Sequence, residues 1–547
     1  MERSEIARRT LIKTTAALGL ATGLPKLARA EDVATIARGK FAPNWESLVA
    51  GYTAPDWYRD AKFGIWAHWG PQCAPEDGDW YARNMYVQGQ AQYQHHLKNY
   101  GHPADTGFID VIRTWTAENF DPDALLDLYK RAGAKYFVAL ANHHDNFDTF
   151  NSKFHAWNAT HMGPKKDVIA MFARAARARG LRFGVSNHSA HAWHWFQVAY
   201  GYDPEGARGG KRYDAWKLTK AAGKGKWWEG FDPQELYGGR VMPMPDGFDS
   251  IVAANKWHDE HDRLWNENPP PANPAFTRAW FLRCKDLIDS YQPDLVYFDD
   301  TGLPLGQAGL DIAAHFYNSA VKWHGSPDVV INAKFLPEER RGALVEDVER
   351  GLRSEVQPDP WQTDTCLGQW HYSRPLYEKN GYKTAAEVIH ILCDIVAKNG
   401  NLLLSVPVRR DGTIDEKETA IVEGIASWMV RFSEAIYGTR PWHTAGEGPT
   451  QVASGAFGEG NLKPFTAADI RYTTKGGALY AITLGNPQAD QLTLTSLRQG
   501  VVARVEVVGS AAPLAFKQST GGLAITLSPA AAHEYGVALK IAGTGLV

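Results

Sequence analysis

The chain has 547 residues and a mass of 60.6 kDa, which is too long for one ordinary domain unless a large barrel takes up most of it. Its hydrophobic content of 44% and charged content of 22% exclude a disordered or collagen-like protein, and its net charge of −3 gives no electrostatic basis for binding nucleic acid or an anionic membrane surface. Part of the aromatic content (20 Trp, 22 Tyr and 22 Phe) belongs to the core, and the rest is typical of flat apolar surfaces for ligands such as pyranose rings.

The first 30 residues are typical of an export signal. Arg8 and Arg9 precede an apolar run at 11–24, and residues 28–30 supply the small-residue pattern of a cleavage site. The run is too short and too rich in Gly and Thr for a stable transmembrane helix, and the paired arginines indicate a twin-arginine signal. We expect the mature chain to begin near Glu31 and the protein to be periplasmic or secreted. A buried amphipathic helix is the alternative.

Eight short runs of apolar, β-branched or aromatic residues predict strands, and polar residues follow each run. Between them, residues 167–179, 280–291 and 385–398 repeat apolar side chains every three or four positions, and Asp121-Pro122 opens a further helix. Strands that alternate with helices predict an α/β fold with a parallel sheet, and eight of them predict a (β/α)8 TIM-like barrel. The predicted strands are 63–68, 136–144, 181–188, 295–300, 329–334, 344–349, a weaker 361–365, and 402–408.

Two regions depart from this alternation. Residues from about 190 to 293 are rich in Gly, Pro, Trp and charge, and they predict a long loop insertion over the C-terminal face of the barrel. After Pro441 the composition changes, with alternating Gly, Thr, Ala and Val and fewer helix-forming residues. Predicted strands at 472–484, 491–497, 501–508 and 523–527 indicate a C-terminal β-sandwich. We therefore expect the signal in residues 1–30, the catalytic barrel in 31–445 and the sandwich in 446–547.

Polar side chains collect at the predicted carboxyl ends of the strands, where the active site of such a barrel lies. A single strand-end histidine is more often structural, and an acidic residue there often caps the next helix, as Asp300 could. His143 and His144 are adjacent, so at most one faces the barrel axis unless the strand end is irregular. Caps do not account for so many groups from six strands: His68, Asn142, His143, His144, Asp145, Asn187, His188, Asp299, Asp300, Asn332, Lys334, Glu346, Asp347, Glu349 and Arg350.

Two chemistries could use these groups. His68, His143, His144 and Asp299 could hold a divalent ion, but such sites usually take a His-x-His pair on one strand, and here the paired histidines are adjacent. Paired carboxylates with neutral His and Trp side chains suit glycoside hydrolysis, in which one carboxylate attacks the anomeric carbon and one acid protonates the leaving oxygen. Asp299 and Glu349 can converge across the barrel mouth for this purpose. The four cysteines lie far apart without a CxxC pair and predict buried thiols.

Several segments are specific when taken together. They read WYRDAKFGIWAHWG at 57–70, DWY at 79–81, KYF at 135–137 with HHD at 143–145, PDLVYFD at 293–299, GNLLL at 400–404 and EAIYGTRPW at 434–442. With these segments the chain resembles glycoside hydrolase family 29, the retaining α-L-fucosidases, from about residue 45 to 445. The resemblance implies a catalytic barrel followed by a C-terminal β-sandwich.

The resemblance also assigns roles to residues. It implies that Asp299 is the nucleophile and that His68, Trp80, His143 and His144 hold the fucose hydroxyls. Three positions that would touch the sugar depart from the common pattern of the family: Asp79 replaces Glu, His188 replaces Tyr and Lys334 replaces Arg. A fourth departure, Asn146 in place of Gly, lies in the loop after the paired histidines.

The acid/base residue is poorly aligned within the family, and Glu349 is our choice because it ends a predicted strand. Glu346 and Glu355 are its rivals. Trp193 and Trp195, in the predicted insertion, are expected to form the pocket for the sugar's methyl group or the adjacent aglycone site.

These observations predict an exported, exo-acting, retaining α-L-fucosidase. It would need no cofactor and would act on fucosylated oligosaccharides or glycoconjugates, without a nucleic acid partner or a membrane span. A metal-dependent barrel hydrolase is the first alternative, and sensitivity to EDTA would reveal it. A sugar-binding protein that has lost activity is the second, and the departures at Asp79, His188 and Lys334 keep it open.

Overall fold

Eight parallel strands close into a barrel in the computed structural model, which describes residues 34–264, 273–487, 490–527 and 532–547. Each strand pairs with the next along the chain, and the eighth pairs with the first. All eight predicted strands are confirmed, including the weak seventh. Their bounds are β1 Phe63–Ala67, β2 Tyr136–Asn142, β3 Arg182–Asn187, β4 Leu295–Thr301, β5 Val330–Lys334, β6 Val345–Asp347, β7 Trp361–Cys366 and β8 Gly400–Ser405.

Six α-helices connect or follow these strands. They are α1 Pro122–Arg131, α2 Val168–Ala178, α3 Pro274–Tyr291, α4 Gln307–His324, α5 Ala385–Ala397 and α6 Glu416–Phe432. Their beginnings follow from capping chemistry, because Asp121 accepts the Ala124 N–H before α1 and Thr384 forms a capping box with Glu387 before α5. Between β5 and β6 the chain forms a 3₁₀ helix, and the described residues 348–360 between β6 and β7 contain no helix.

Large aromatic side chains fill the barrel interior. Trp66, Tyr136 and Tyr297 are buried there, and a side chain at Gly64 would meet the Tyr136 ring at 2.3 Å, so only glycine fits. The Tyr136 hydroxyl donates to Gln362 Oε1 at 3.1 Å, which satisfies a buried polar group. Because the interior is packed, a ligand has room at the carboxyl ends of the strands and not through the barrel.

The region after β3 is helical and not the long loop that its composition predicts. Helices occupy Ala192–Trp195, Asp214–Lys217, Pro233–Leu236 and Ile251–His261, and 3₁₀ turns lie between them. The last part of the predicted insertion, Pro274–Tyr291, is the barrel helix α3, so the insertion ends before it. Short helices elsewhere are Trp45–Gly51, Asp56–Ala61, Tyr81–Asn84, Ala91–Asn99, Phe108–Ile112 and Arg374–Glu378.

Two antiparallel sheets form the C-terminal domain, as expected of a β-sandwich. The five-stranded sheet has the order β13-β16-β11-β10-β9 and the three-stranded sheet the order β12-β15-β14. The predicted strand 472–484 is instead a hairpin, because Gly476 and Gly477 both have positive φ and form a tight turn. The bounds are β9 Arg440–Glu447, β10 Ile470–Lys475, β11 Ala478–Thr483, β12 Gln491–Leu494, β13 Val501–Val507, β14 Phe516–Ser519, β15 Gly522–Thr526 and β16 Ala538–Thr544.

The two domains meet at a buried cluster of charges. Asp394 of α5 accepts from Lys398 at 2.7 Å and from Arg471 of β10 at 2.7 Å. Strand β9 already pairs with β10, so the second domain begins near Arg440 and not at residue 446. Residues Ile36–Val547 form one compact unit.

The remaining sequence predictions concern the N-terminal signal, a membrane span and the cysteines. The predicted signal at 1–30 lies outside the described residues. Within the described ranges, no helix combines the length and the apolarity needed to cross a bilayer. The four cysteines are buried and unbonded to one another, as their spacing predicts.

Candidate active site

A cavity of about 520 Å³ lies at the carboxyl ends of the barrel strands. Its wall contains all nine side chains that the sequence singled out for the site, contributed by different strands and their following loops. The lining residues are Trp66, His68, Asp79, Trp80, Asn84, His143, His144, His188, His191, Asp299, Asp300, Thr301, Lys334, Phe335, Glu349, Asp364, Trp370 and Phe457.

Asp299 of β4 is surrounded by groups that favour its charged form. Lys334 of β5 contacts one carboxylate oxygen, and His144 Nε2 and His188 Nδ1 lie 3.3 Å and 3.1 Å from the other. Burial opposes ionisation, but the Lys334 ammonium and the two imidazoles outweigh it and hold the pKa of Asp299 well below its usual range. Asp299 is therefore an ionised carboxylate, as a nucleophile must be.

Glu349 has the opposite electrostatic character. It follows β6 and accepts a hydrogen bond from Lys334, the same ammonium group that contacts Asp299. Burial and the charge of Asp299 raise the pKa of Glu349, although Lys334 partly opposes the shift. Since one nitrogen contacts both carboxylates, their nearest oxygens lie within two hydrogen-bond lengths, roughly 6 Å.

The two rival acids lie elsewhere. Glu346 is held by Arg353 at 2.6 Å and Arg341 at 3.3 Å and faces a different, smaller cavity. Glu355 is exposed and lines a polar cavity next to the C-terminal domain. The geometry therefore favours Glu349 over both rivals as the partner of Asp299.

Both adjacent histidines face the cavity, so the expectation that at most one would do so on a regular strand does not apply. The register of β2 shifts between Leu140 and Asn142, and the strand ends at Asn142, so alternation does not govern His143 and His144. Their ring centroids lie 4.3 Å apart. An irregular strand end thus presents two imidazoles to one ligand.

Four histidines of the site, His68, His143, His144 and His188, have lowered pKa values and are neutral at ordinary pH. The pKa of His191 is raised, because the neighbouring Asp300 carboxylate outweighs burial. Burial, with the other imidazoles, holds the pKa values of His68 and His143 well below the usual range, and burial lowers that of His144 to about 4. The His144 Nδ1–H donates to the carbonyl of His188 at 2.7 Å, and Gln72 donates to His143 Nδ1 at 2.8 Å. These contacts orient the rings so that their other nitrogens can bind sugar hydroxyls.

Among the described residues, His188 and Asp364 have buried polar atoms without a well-aligned hydrogen bond, although His188 Nδ1 lies 3.1 Å from the Asp299 carboxylate. Both ring nitrogens of His188 and one oxygen of Asp364 lack a hydrogen bond of good geometry. Burial raises the pKa of Asp364 to about 7. Unsatisfied polar atoms in a cavity wall indicate a polar ligand, since leaving them unpaired is costly.

Asp79 positions a neighbouring loop. Its carboxylate accepts the backbone N–H groups of Trp370 at 3.0 Å and His371 at 2.7 Å. The Trp370 ring is tilted against its neighbours, with its centroid 4.9 Å from that of His68 and 5.8 Å from that of Trp66, and it builds an apolar wall beside the imidazoles. A wall of this kind suits the apolar face or methyl group of a sugar.

Sequence reasoning missed part of the cavity and misplaced another part. Trp193 and Trp195 are absent from the described lining residues, and Trp195 instead packs behind Trp80 and His144 at 6.0 Å and 5.4 Å. Asp300 caps no helix, because α4 begins at Gln307. The missed lining residues lie in the strands, in the segments after them or in the second domain: Trp66, Asn84, His191, Thr301, Phe335, Asp364, Trp370 and Phe457.

Three of the histidines are close enough to hold a metal ion. Ring nitrogens of His143, His144 and His188 lie within 4.8 Å of one another, whereas the sequence had suggested His68 and Asp299 in place of His188. One nitrogen of His143 and one of His144 are already engaged with Gln72 and a carbonyl group. The same donor set therefore fits hydroxyl recognition as well as metal binding.

Comparisons with known proteins match this chain over both of its domains. The alpha-L-fucosidase family model matches residues 28–434, and the alpha-L-fucosidase C-terminal domain model matches residues 463–542. The tissue alpha-L-fucosidase of Bos taurus is 25% identical over 524 residues, covering 92% of each chain. The tissue alpha-L-fucosidase of Homo sapiens is 24% identical over 484 residues, covering 86% of this chain and 84% of the human one.

Solved structures show the same fold. The Thermotoga maritima alpha-fucosidase in complex with fucose has a TM-score of 0.65 and 23% identity, covering 92% of this chain and 100% of that one. Alpha-L-fucosidase isoenzyme 1 from Paenibacillus thiaminolyticus has a TM-score of 0.58 and 21% identity, covering 91% and 99%. Because the family model spans well over half of the chain, this protein belongs to the alpha-L-fucosidase family of glycoside hydrolases.

Proposed function

We propose that this member of the alpha-L-fucosidase family is an exo-acting, retaining enzyme in which Asp299 is the nucleophile and Glu349 the acid/base. The observation that carries the proposal is the contact of one buried Lys334 ammonium group with both carboxylates at the mouth of the barrel. A depressed pKa keeps Asp299 charged for attack, and a raised pKa favours the protonated form of Glu349 that the leaving group needs. Their shared contact with Lys334 keeps their nearest oxygens within roughly 6 Å, a bound that accommodates the roughly 5–5.5 Å of retaining enzymes.

The reaction would proceed in two displacements. An oxygen of Asp299 attacks the anomeric carbon, while Glu349 gives its proton to the glycosidic oxygen and the C–O bond to the leaving group breaks. Glu349, now ionised, takes a proton from water, whose oxygen attacks the same carbon and releases Asp299. Two inversions return the α configuration, so the fucose product keeps the stereochemistry of the substrate.

Substrate recognition in this proposal rests on neutral groups. His68, His143, His144 and His188 bind hydroxyls without competing with the charges of the two carboxylates. Trp370 covers the apolar side of the ring. The closed barrel interior below the cavity supports removal of a terminal sugar, and the substrate class is a fucosylated oligosaccharide or glycoconjugate.

Hydrolysis of an aryl α-L-fucoside, followed by proton NMR of the first-formed sugar, tests the proposal. We expect α-L-fucose to appear first and mutarotation to follow. Asp299→Ala should lower turnover by several orders of magnitude, because the covalent route is lost. The β anomer as first product would contradict the retaining mechanism, and loss of activity after EDTA treatment would favour a metal-dependent hydrolase.

The same assay with the aryl α-L-galactoside examines specificity. Fucose lacks the C6 hydroxyl, and an apolar wall such as Trp66 and Trp370 rejects an added hydroxyl by only about a hundredfold. We therefore expect a higher kcat/KM for the fucoside and residual activity on the galactoside. A preference for the galactoside would show that Asp79, His188 and Lys334 have changed the substrate.

Export is a further part of the proposal, and the sequence of residues 1–30 supports it. The paired arginines Arg8 and Arg9, the apolar run and the small-residue site are the features of a twin-arginine signal. N-terminal sequencing of the protein made in its native host should give a start near Glu31. Replacing both arginines by lysine should retain the uncleaved chain in the cytoplasm, and normal export of that variant would contradict this route.

A further inference from the structure

Two exposed phenylalanines stand on the wall of the catalytic cavity. Three phenylalanines are exposed among the described residues, and two of them, Phe335 at 53% and Phe457 at 59%, line this cavity. Both have positive φ angles, of 51° and 58°, a backbone conformation that bulky residues seldom adopt. Exposed apolar rings held in strained backbone at an active site indicate a binding function, because neither feature stabilises the free protein.

Phe457 comes from the second domain and is fixed beside the acid/base. It lies between β9 and β10, and its N–H donates to the carbonyl oxygen of Glu349 at 2.7 Å. Two residues later, the N–H of Glu459 donates to the carbonyl of Arg350 at 3.0 Å, and the Glu459 carboxylate accepts from Arg350 at 2.6 Å. The segment is thus attached to the strand end that carries the proton donor.

Phe335 lies beside the same catalytic pair. It directly follows Lys334, the residue that contacts both carboxylates, at the end of β5. The carbonyl of Lys334 accepts the N–H of Gly302 at 2.8 Å, which holds the β5 end against the β4 end. Phe335 therefore has a fixed place next to the catalytic pair.

The position of the leaving group follows from the role of Glu349. The oxygen that receives its proton is bonded to both fucose and the aglycone, so the aglycone must begin next to Glu349 and extend toward solvent. The apolar wall of Trp66 and Trp370 lies among the imidazoles, on the fucose side. We therefore expect the exposed rings of Phe335 and Phe457 to contact the aglycone.

We propose that Phe335 and Phe457 form an aglycone subsite that binds the apolar face of a pyranose ring, so that the C-terminal domain takes part in substrate selection. This inference rests on the proposed function, because it needs Glu349 as proton donor. An aromatic ring buries the C–H face of a sugar while the hydroxyls at the sugar's edge stay in water. The subsite lowers the barrier for disaccharide cleavage and does nothing for a substrate without an aglycone.

Two substrates with the same fucose test the subsite. We would measure kcat/KM of Phe335→Ala and Phe457→Ala on a fucosyl-galactose disaccharide and on α-L-fucosyl fluoride, whose leaving group is one atom. We expect a loss of roughly tenfold per ring on the disaccharide, from the apolar area each ring buries, and an unchanged value on the fluoride. The inhibition constant of L-fucose should also stay unchanged.

Controls separate stacking from indirect effects. Phe154→Ala removes the third exposed phenylalanine, which lies away from the cavity, and should leave both substrates unaffected. Phe457→Tyr keeps the aromatic ring and should have a higher kcat/KM on the disaccharide than Phe457→Ala. In Phe457→Ala, the alkaline limb of the pH profile should stay at the same pH, which would show that the pKa of Glu349 is unchanged.

The outcomes distinguish two failures. An equal loss on disaccharide and fluoride, a matching loss in Phe154→Ala, or no loss at all would overturn the subsite while leaving the proposed function intact. No turnover of the fluoride by the unaltered enzyme would overturn the proposed function and the subsite with it.

Discussion

At the scale of single residues, the charged and the neutral groups of the site have different roles. Lys334 is the one ammonium group among the described cavity residues, and it contacts both carboxylates. Burial opposes the ionisation of Asp299, and Lys334 with the imidazoles of His188 and His144 outweighs it, whereas the pKa of Glu349 is set by burial, Lys334 and Asp299. Two testable consequences follow for the dependence of activity on pH.

The first consequence is a bell-shaped profile. Asp299 must be ionised and Glu349 protonated, so kcat/KM should persist to low pH and fall as pH rises through the raised pKa of Glu349. In Glu349→Ala, a fucoside whose leaving group needs no protonation should be cleaved without the alkaline limb. If that limb survives in the variant, another group titrates there and Glu349 is not the acid.

The second consequence concerns Lys334. Lys334→Met removes a positive charge that lowers the pKa of both Asp299 and Glu349, so both limbs of the profile should move to higher pH. We also expect kcat/KM at the optimum to fall about 10²–10³-fold, the usual cost of removing a group that stabilises charge at the reacting centre. Lys334→Arg keeps the charge and is the matched control. Unmoved limbs in Lys334→Met would contradict this electrostatic role.

At the scale of elements, a buried ion pair holds the irregular end of β2. Arg283 of α3 donates to Asp148 at 2.6 Å and 3.0 Å and to Asn146 at 2.6 Å, all within the interior. Asn142 bridges Asp148 to the backbone of His188, so the network connects the ends of two strands. The paired histidines lie inside this loop and depend on it for their orientation.

Removing one partner of that pair should be costly. Arg283→Leu leaves the Asp148 carboxylate buried without its counter-ion, and we expect the free energy of unfolding to fall by about 3–5 kcal/mol. The double variant Arg283→Leu/Asp148→Asn should regain part of the lost free energy of unfolding, because it no longer contains the buried, unpaired carboxylate. Chemical denaturation of the three proteins measures this, and a loss below about 1 kcal/mol in the single variant would contradict it.

The sequence predicted the barrel well because its strands are almost entirely buried and polar residues lie at or just after their carboxyl ends. His68, Asp299 and Glu349 could be found in this way, since the carboxyl ends of parallel strands converge. Periodicity could not reveal that β2 ends irregularly and turns both His143 and His144 inward. Nor could local pattern show that Phe457 reaches the site from the other domain, because that contact joins residues about a hundred positions apart.

At the scale of the whole molecule, the two domains are coupled by buried charge. Asp394 is enclosed by Lys398 of the barrel and Arg471 of the C-terminal sheet. The segment that carries Phe457 starts from the same sheet and reaches the catalytic cavity. The C-terminal domain is therefore both a packing partner of the barrel and part of the cavity wall.

This coupling predicts a shared stability. Asp394→Ala leaves Lys398 and Arg471 buried without their counter-ion. We expect the free energy of unfolding to fall by about 3–5 kcal/mol and the Tm measured by calorimetry to be lower. Glu506→Ala breaks a more exposed pair with Arg504 and should change stability by about 0.5 kcal/mol or less. Equal losses of stability in the two variants would show that the interdomain cluster stabilises the protein no more than an exposed ion pair does.

The most direct test of the central claim is to trap the intermediate. A 2-deoxy-2-fluoro-α-L-fucosyl fluoride slows the second displacement more than the first, so a retaining enzyme accumulates a covalent adduct. Peptide mass spectrometry of the inactivated protein should locate the sugar on Asp299, with one sugar per chain. An adduct on Asp300 or another carboxylate, or turnover of fucosides without any covalent adduct, would contradict the assignment of Asp299 as the nucleophile.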